Sequence, residues 1–123
     1  MALKRIRIEL ARDHDFPNGS RERGYDFIAP LDETGHLVAE EWKADRERCR
    51  VKRFWAGEPN EMGHLVHKRG GAWAFDYDPS TDSDDETGFK LSTHRFAPGE
   101  YVSFKEHDGV TRTFKVMSVL DFD

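Results

Sequence analysis

The sequence predicts a small, mainly β protein: an antiparallel barrel or sandwich of about seven short strands with one short surface helix. Two hairpin signals carry this prediction, because Asp108-Gly109 and Gly70-Gly71 each join segments rich in β-branched and aromatic residues. Turn-forming residues separate the other short segments, which is typical of small barrels and sandwiches. With 123 residues, the chain is expected to form one domain over 1–123 around one core.

The first half of the chain predicts two strands, a turn, a helix and a third strand. Strict alternation of apolar and charged residues indicates the first strand, and helix propensity indicates the helix. Trp42 is expected to anchor that helix on the surface of the domain. In chain order, the predicted elements are a strand at 3–10, an exposed loop at 13–24, a strand at 25–29, a turn at 32–35, a helix at 38–48 and a strand at 49–55.

The middle of the chain predicts a hairpin around Gly70-Gly71. A two-residue turn at these glycines pairs Val66 with Phe75 and His64 with Tyr77. In this register, one face of the hairpin carries Val66 together with an aromatic stripe. The members of the stripe are Trp73, Phe75 and Tyr77.

The closing hairpin is predicted by matching the faces of its two strands. Val102 and Phe104 share one face of the first strand, and Phe114 and Val116 share one face of the second. A two-residue turn would place these two pairs on opposite sides of the sheet. A three-residue loop that ends with Gly109 in the left-handed region brings them to the same side and pairs Val102 with Phe114.

Composition restricts the class of protein. Fifteen aromatic residues offset a charged fraction of 35% and favour a folded domain over disorder. The net charge of -5 disfavours a general nucleic-acid binder. The single cysteine, Cys49, excludes an internal disulfide and is expected to be a buried thiol. No segment approaches the roughly 18 apolar residues of a membrane span, so a cytoplasmic protein without a membrane partner is expected.

Two groups of residues are candidate binding sites. The aromatic stripe predicts a ligand pocket, although such a stripe also fits a hydrophobic core. The residues of this predicted pocket are His64, Lys68, Trp73 and Tyr77. A basic cluster beside aromatic residues has the pattern of a surface for single-stranded nucleic acid or a partner protein, although a solvated face explains it too. The cluster consists of Arg48, Arg50, Lys52, Arg53 and Trp55.

Neither a metal site nor a cofactor is predicted. His64 and His67 lie three residues apart on a predicted strand, so their side chains point to opposite faces and do not share an ion. Oxygen donors alternate through the acidic segment 76–88 as in a calcium loop. Thr81 and Thr87 occupy the positions where such a loop needs glycine and glutamate, so a solvated loop is expected.

The segments IRIELAR, GHLVH, WAFDY and FAPGEYVSF resemble small bacterial proteins of no assigned activity. This resemblance implies a bacterial, single-domain, cytoplasmic protein and implies no chemistry. The closing hairpin is also similar to the last hairpins of SH3-like barrels, which implies a fold and not a function.

The sequence favours a non-catalytic binding or accessory module that contacts a protein partner or a small ligand. Whether the protein is an enzyme stays open. One alternative is an enzyme with a histidine and carboxylates in the mouth of the barrel, where His64 would lie beside Tyr77. The other is a module for single-stranded nucleic acid that uses residues 48–55.

Overall fold

The structure is a computed structural model that describes residues 3–68, 72–78, 95–106 and 109–122. Its strands are β1 (Leu3–Leu10), β2 (Ser20–Pro30), β3 (Arg50–Trp55), β4 (Glu58–His67), β5 (Trp73–Asp78), β6 (Tyr101–Lys105) and β7 (Thr111–Asp121). They form one antiparallel sheet in the order β5-β4-β3-β2-β1-β7-β6, which curls into a half-barrel. The predicted mainly β fold with seven strands is therefore confirmed.

The concave face of the sheet holds the hydrophobic core because the strands alternate between buried and exposed side chains. On β1, Ile6 and Ile8 are buried, whereas Arg5 lies on the convex face. The rings of Phe75 on β5 and Phe104 on β6 have centroids 6.0 Å apart, although these strands are the two ends of the sheet order. The curl thus brings both ends of the sheet to one core.

The closing hairpin has the predicted register. Val102 pairs with Phe114, and both side chains are buried on the concave face. Gly109 has φ of 86°, in the left-handed region, and the Glu106 amide donates to the Val110 carbonyl over 3.0 Å. The first two residues of the predicted loop, 107 and 108, lie outside the described residues.

A β-bulge in β7 explains why its last residues are apolar on both faces. Ile8 pairs with Val116 and Arg7 pairs with Ser118, so Met117 is an extra residue without a direct opposite on β1. The alternation shifts by one position there, and Val119 packs against the core.

The predicted register of the β4–β5 hairpin is wrong by one residue. Leu65 pairs with Phe75 and His64 pairs with Asp76, whereas the two-residue turn had paired Val66 with Phe75. The Lys68 amide donates to the Ala72 carbonyl over 2.7 Å, so three residues, 69–71, connect the strands, and these lie outside the described part. The shift places Leu65 in the core, where it is fully buried.

The helix α1 spans Ala39–Asp45 and continues into a 3-10 turn, Arg46–Arg48. Trp42 is buried and anchors the helix as predicted. Its indole Nε1 donates to the Leu65 carbonyl over 2.7 Å, and its ring meets the Trp73 ring edge-on. Within the described residues, neither helical segment is long and apolar enough to cross a membrane.

The strand β2 begins at Ser20, five residues earlier than the predicted strand at 25–29. Leu10 pairs with Ser20 and Glu9 pairs with Gly24, so one residue along β1 corresponds to four along β2. Residues 21–23 therefore form a bulge that has no partner on β1. Gly24 permits this close approach, because a Cβ there would lie 2.1 Å from the Ile8 carbonyl oxygen. The connection between β1 and β2 is consequently residues 11–19.

Candidate functional site

The structure separates the residues of the predicted ligand pocket. Trp73 and Tyr77 are buried in the core, whereas His64 lies on the convex face, where its Nε2 is 3.3 Å from Nη1 of Arg50. Lys68 follows β4 at the connection to β5. The predicted pairing of His64 with Tyr77 is wrong because of the one-residue shift in register, and Tyr77 instead pairs with Gly63.

The predicted basic cluster is also divided between the two faces. Arg50 and Lys52 lie on the convex face, and Arg48 lies in the 3-10 turn with its guanidinium 5.6 Å from the centre of the Phe122 ring. Trp55 lies half-buried at the end of β3. These side chains therefore do not form one continuous surface.

Arg53 does not belong to an exposed surface, and its prediction as a surface residue is wrong. It follows Val51 by two residues on β3, so its side chain points to the concave side, where it is only 4% exposed. A cation is stable there because the carboxylate of Glu106, itself 2% exposed, lies 3.0 Å away.

The buried charges lie at the end of the half-barrel where β1 and β3 end and β7 begins, which we call the mouth. Among the described residues, the buried charged side chains are Arg53, Glu106 and Arg112, and all three are at the mouth. Arg53 donates to Glu106 over 3.0 Å and to Glu58 over 3.1 Å, and the Tyr25 hydroxyl donates to the second oxygen of Glu106. Both carboxylate oxygens of Glu106 thus accept a hydrogen bond.

The electrostatics of this network keep Arg53 charged. Burial by itself lowers the pKa of the Arg53 guanidinium, because a low dielectric disfavours the cation. The charge of Glu106 and the hydrogen bonds to Glu106 and Glu58 outweigh burial and raise this pKa above its ordinary value. The network is therefore an ion pair that holds β2, β3 and β6 together.

A second ionic network holds the β1–β2 connection against β7. Nη1 of Arg112 donates to Asp13 over 2.8 Å, and its Nη2 donates to Asp15 over 3.2 Å. The Asp15 amide donates to the Asp13 carboxylate over 2.7 Å, and the Ala11 amide donates to the Thr113 carbonyl over 2.9 Å. These contacts fix the connection in one conformation.

Aromatic rings join the two networks. Phe16 of the connection and Trp55 of β3 meet edge-on with ring centroids 6.2 Å apart. The guanidinium carbon of Arg23 lies 4.5 Å from the centre of the Phe16 ring, and that of Arg53 lies 4.5 Å from the centre of the Trp55 ring. Such cation–π contacts contribute about 0.5 to 2 kcal/mol each.

The Arg112–Asp13 contact predicts a pH dependence of stability. Burial raises the pKa of the Asp13 carboxyl, but hydrogen bonds from the Asp15 amide and Arg112, with the charge of Arg112, lower it below its usual value. The unfolded pKa is about 3.9, so the contact stabilises the fold above that pH and loses its effect as the pH falls through the lower folded pKa.

We therefore expect Asp13→Asn to lower the urea midpoint by a constant amount between about pH 7 and pH 5. The difference from the wild type should shrink below about pH 4, because the wild type then loses the same contact. Urea denaturation of both proteins at pH 7, 5, 4 and 3 measures this difference in midpoint. A difference that is the same at pH 3 as at pH 7 would contradict this assignment.

The outer side of the β1–β2 connection borders a groove on the convex face, with a volume of about 450 Å³. We call it the cationic groove. Its other wall is formed by β6 and β7, where Tyr101 is 56% exposed and Met117 is 43% exposed. Three cations line it: Arg12, Arg21 and Lys115.

The three cations of the groove form no ion pair within the part of the chain that the structure describes. The one carboxylate in the groove, that of Glu9, accepts a hydrogen bond of 2.7 Å from Arg7. Charged side chains at a surface without a carboxylate partner leave a positive potential available to an anion. The groove is therefore the best candidate functional site.

A larger cavity of about 610 Å³ lies between the 32–35 turn and residues 95–98, and its walls carry charges of both signs. Lys4 at its wall forms an ion pair with Asp121. The mixed signs favour no particular ligand, so we do not assign a function to this cavity.

The remaining reactive groups do not form a site in the described residues. Cys49 is fully buried, as predicted, and burial followed by the charge of Asp45 raises the pKa of its thiol to about 12, so no thiolate nucleophile forms near neutral pH. No cluster of three or more histidine, cysteine or acidic residues suitable for a metal occurs over 3–68, 72–78, 95–106 and 109–122. Most of the acidic segment 76–88 lies outside these ranges, so the prediction that it is a solvated loop and not a calcium site stays a prediction.

The sequence contained one signal of the cationic groove that the prediction missed. On the exposed face of the closing hairpin, Tyr101 and Met117 lie near Lys115, and both are large side chains on a face expected to be wet. Arg12 and Arg21 join them only because β1 and β7 are neighbours in the sheet.

No protein-family model, no curated protein and no solved structure matches this chain. The resemblance to small bacterial proteins and to SH3-like hairpins therefore stays a prediction from the sequence. Any conclusion about function rests on the geometry of the groove.

Proposed function

We propose that this protein is a non-catalytic binding module that receives an anionic group of a protein partner or small ligand in the cationic groove. The observation that carries this proposal is the convergence of Arg12, Arg21 and Lys115 on a groove that one carboxylate lines among the described residues, that of Glu9, which already accepts a hydrogen bond from Arg7. Carboxylate and phosphate are the chemical groups that arginine binds best, because its two donors match two oxygens.

The support behind the groove favours binding. The Arg112 network holds the β1–β2 connection, which carries Arg12, and the sheet holds Lys115. A groove with a fixed backbone loses less conformational entropy when a ligand binds, which increases affinity for a given set of contacts. A groove of about 450 Å³ is within the usual range of ligand sites.

The proposal is tested by titrating labelled protein, observed by amide NMR, with a hexaglutamate peptide and separately with the oligonucleotide dT6. At least one of them should shift the amides of the groove, with the affinity falling as salt is added. The amides concerned are 9–12, 18–21 and 113–117.

The variant Arg12→Gln, Arg21→Gln, Lys115→Gln is expected to bind at least about tenfold more weakly, since exposed charge contacts contribute about 0.5 kcal/mol each. The matched control, Arg5→Gln, Arg50→Gln, Lys52→Gln, removes three cations elsewhere on the convex face and should bind as the wild type does. Shifts at 48–55 that only the control variant abolishes would instead identify the predicted basic cluster as the binding surface. Silence with both probes would reject the proposal.

The single-stranded nucleic-acid module is the second candidate, because the exposed ring of Tyr101 beside Lys115 offers a base a surface for stacking. The enzyme alternative has less support, since His64 lies on the convex face and not in the mouth. A cytoplasmic location and a bacterial origin are proposed on the grounds of composition and resemblance alone.

A further inference from the structure

We propose that the occupant of the cationic groove is an acidic segment of a partner protein that carries an apolar side chain beside its carboxylates. This inference rests on the proposed function and names the partner of the same site. It is argued from the arrangement of the apolar and cationic side chains, from the support of the groove walls and from the single aromatic ring in the groove.

Apolar and cationic side chains alternate along one wall of the groove. Tyr101 lies directly opposite Lys115 on the neighbouring strand, and Met117 follows Lys115 by two residues on β7. Met117 is the extra residue of the β7 bulge, so it does not follow the regular spacing of a strand, but it is exposed in the same groove as Lys115. An apolar side chain next to a carboxylate bound at Lys115 therefore lies within reach of Met117.

Met117 and Tyr101 are suited to protein contact. Tyrosine, methionine and arginine are all enriched at the centre of protein interfaces. Methionine adapts its shape to different apolar partners because it is unbranched and polarizable. Met117 is the extra residue of the bulge in β7, so its side chain is exposed at a point where β7 departs from regular pairing with β1.

The opposite wall supplies the cations for the remaining carboxylates. Arg12 follows β1 by two residues, and Arg21 lies in the β2 bulge next to Ser20, which pairs with Leu10. The Arg21 carbonyl accepts a hydrogen bond of 3.3 Å from Arg7 of β1. An acidic segment in the groove therefore contacts the cations of both walls, and it also contacts the apolar side chain of Met117.

The lining of the groove favours a peptide over a nucleic acid. Surfaces for single-stranded nucleic acid use several aromatic rings in succession, whereas the groove has one, Tyr101. The net charge of -5 opposes an acidic peptide and an oligonucleotide alike, so it does not distinguish them. A peptide can add the burial of an apolar side chain on Met117, which a strand of phosphates and bases does not offer in the same form.

The test compares three probes by fluorescence anisotropy: the peptides DEDLEDE and DEDSEDE, which have equal charge, and the oligonucleotide dT7. We expect the leucine peptide to bind about tenfold more tightly than the serine peptide, because a leucine gains free energy when it is buried. We expect dT7 to bind more weakly than either. Met117→Ser should remove the preference for leucine, so that the two peptides bind with equal affinity.

Each other outcome is informative, and the failures can be told apart. Equal binding of the two peptides would overturn the apolar part of the inference and leave the groove as an anion site. Tighter binding of dT7, lost in Tyr101→Leu, would make the occupant a nucleic acid. Binding by none of the probes would reject both the inference and the proposed function. Because Met117 is exposed, Met117→Ser is expected to melt within a few degrees of the wild type, which circular dichroism checks.

Discussion

Glu106→Gln is expected to lower the free energy of unfolding by about 3 to 5 kcal/mol, because it leaves the cation of Arg53 buried without its anion. The two side chains are 3.0 Å apart and almost fully excluded from water. Water does not reach Arg53 to replace the lost charge, and its second acceptor, Glu58, is half-exposed and compensates only in part. Glutamine keeps the size of the side chain and an acceptor for the Tyr25 hydroxyl, so the change is mainly one of charge.

Urea denaturation measures this effect, with Glu100→Gln as the matched control. Glu100 is exposed and lies 3.6 Å from Arg95, so its loss should cost less than about 1 kcal/mol. The double variant Arg53→Met, Glu106→Gln removes the orphaned cation and should recover much of the lost stability. If Glu106→Gln cost no more than the control, the buried ion pair would not contribute as described.

Phe114→Ala is expected to cost about 3 to 5 kcal/mol, because it opens a cavity where the strands of the closing hairpin meet the core. The Phe114 ring is fully buried and stacks on Phe104 at a centroid distance of 4.9 Å. It also meets the Tyr25 ring edge-on at 5.4 Å. The cavity would therefore adjoin Tyr25, whose hydroxyl donates to Glu106. The substitution should for this reason also weaken the ion pair between Arg53 and Glu106.

The control for this cavity is Thr111→Ala on the same strand, which is exposed and should change stability by less than about 0.5 kcal/mol. Thermal and urea denaturation of both variants give the comparison. Near-wild-type stability of Phe114→Ala would show that this ring does not lie in the core and would contradict the register of the hairpin.

The closing hairpin was predictable because only one register satisfies its pattern. Val102 and Phe104 alternate with polar residues, so a slip by one residue would expose them. The β4–β5 hairpin lacks this constraint. Leu65 and Val66 are adjacent and both apolar, so either of them can face the core, and the pattern does not distinguish two registers. The three-residue connection at 69–71 could not be inferred from Gly70-Gly71 alone.

Alternation from Val51 places Arg53 on the core face of β3, but the sequence around it does not show how a charge is tolerated there. Only a buried partner of opposite charge allows it. That partner, Glu106, is 53 residues away in the chain. The cationic groove was hidden for the same reason, because its cations come from the β1–β2 connection, β2 and β7 and meet only through the order of the strands.

The position of β1 in the sheet has a consequence for the synthesis of the protein. This strand pairs with β2 on one side and with β7 on the other, so the earliest strand and the last one are neighbours. A ribosome delivers β7 only after all the other strands, and until then one side of β1 has no partner strand. Until β7 is translated, the backbone groups along that side of β1 stay unpaired, and such an unpaired strand edge favours aggregation of the nascent chain.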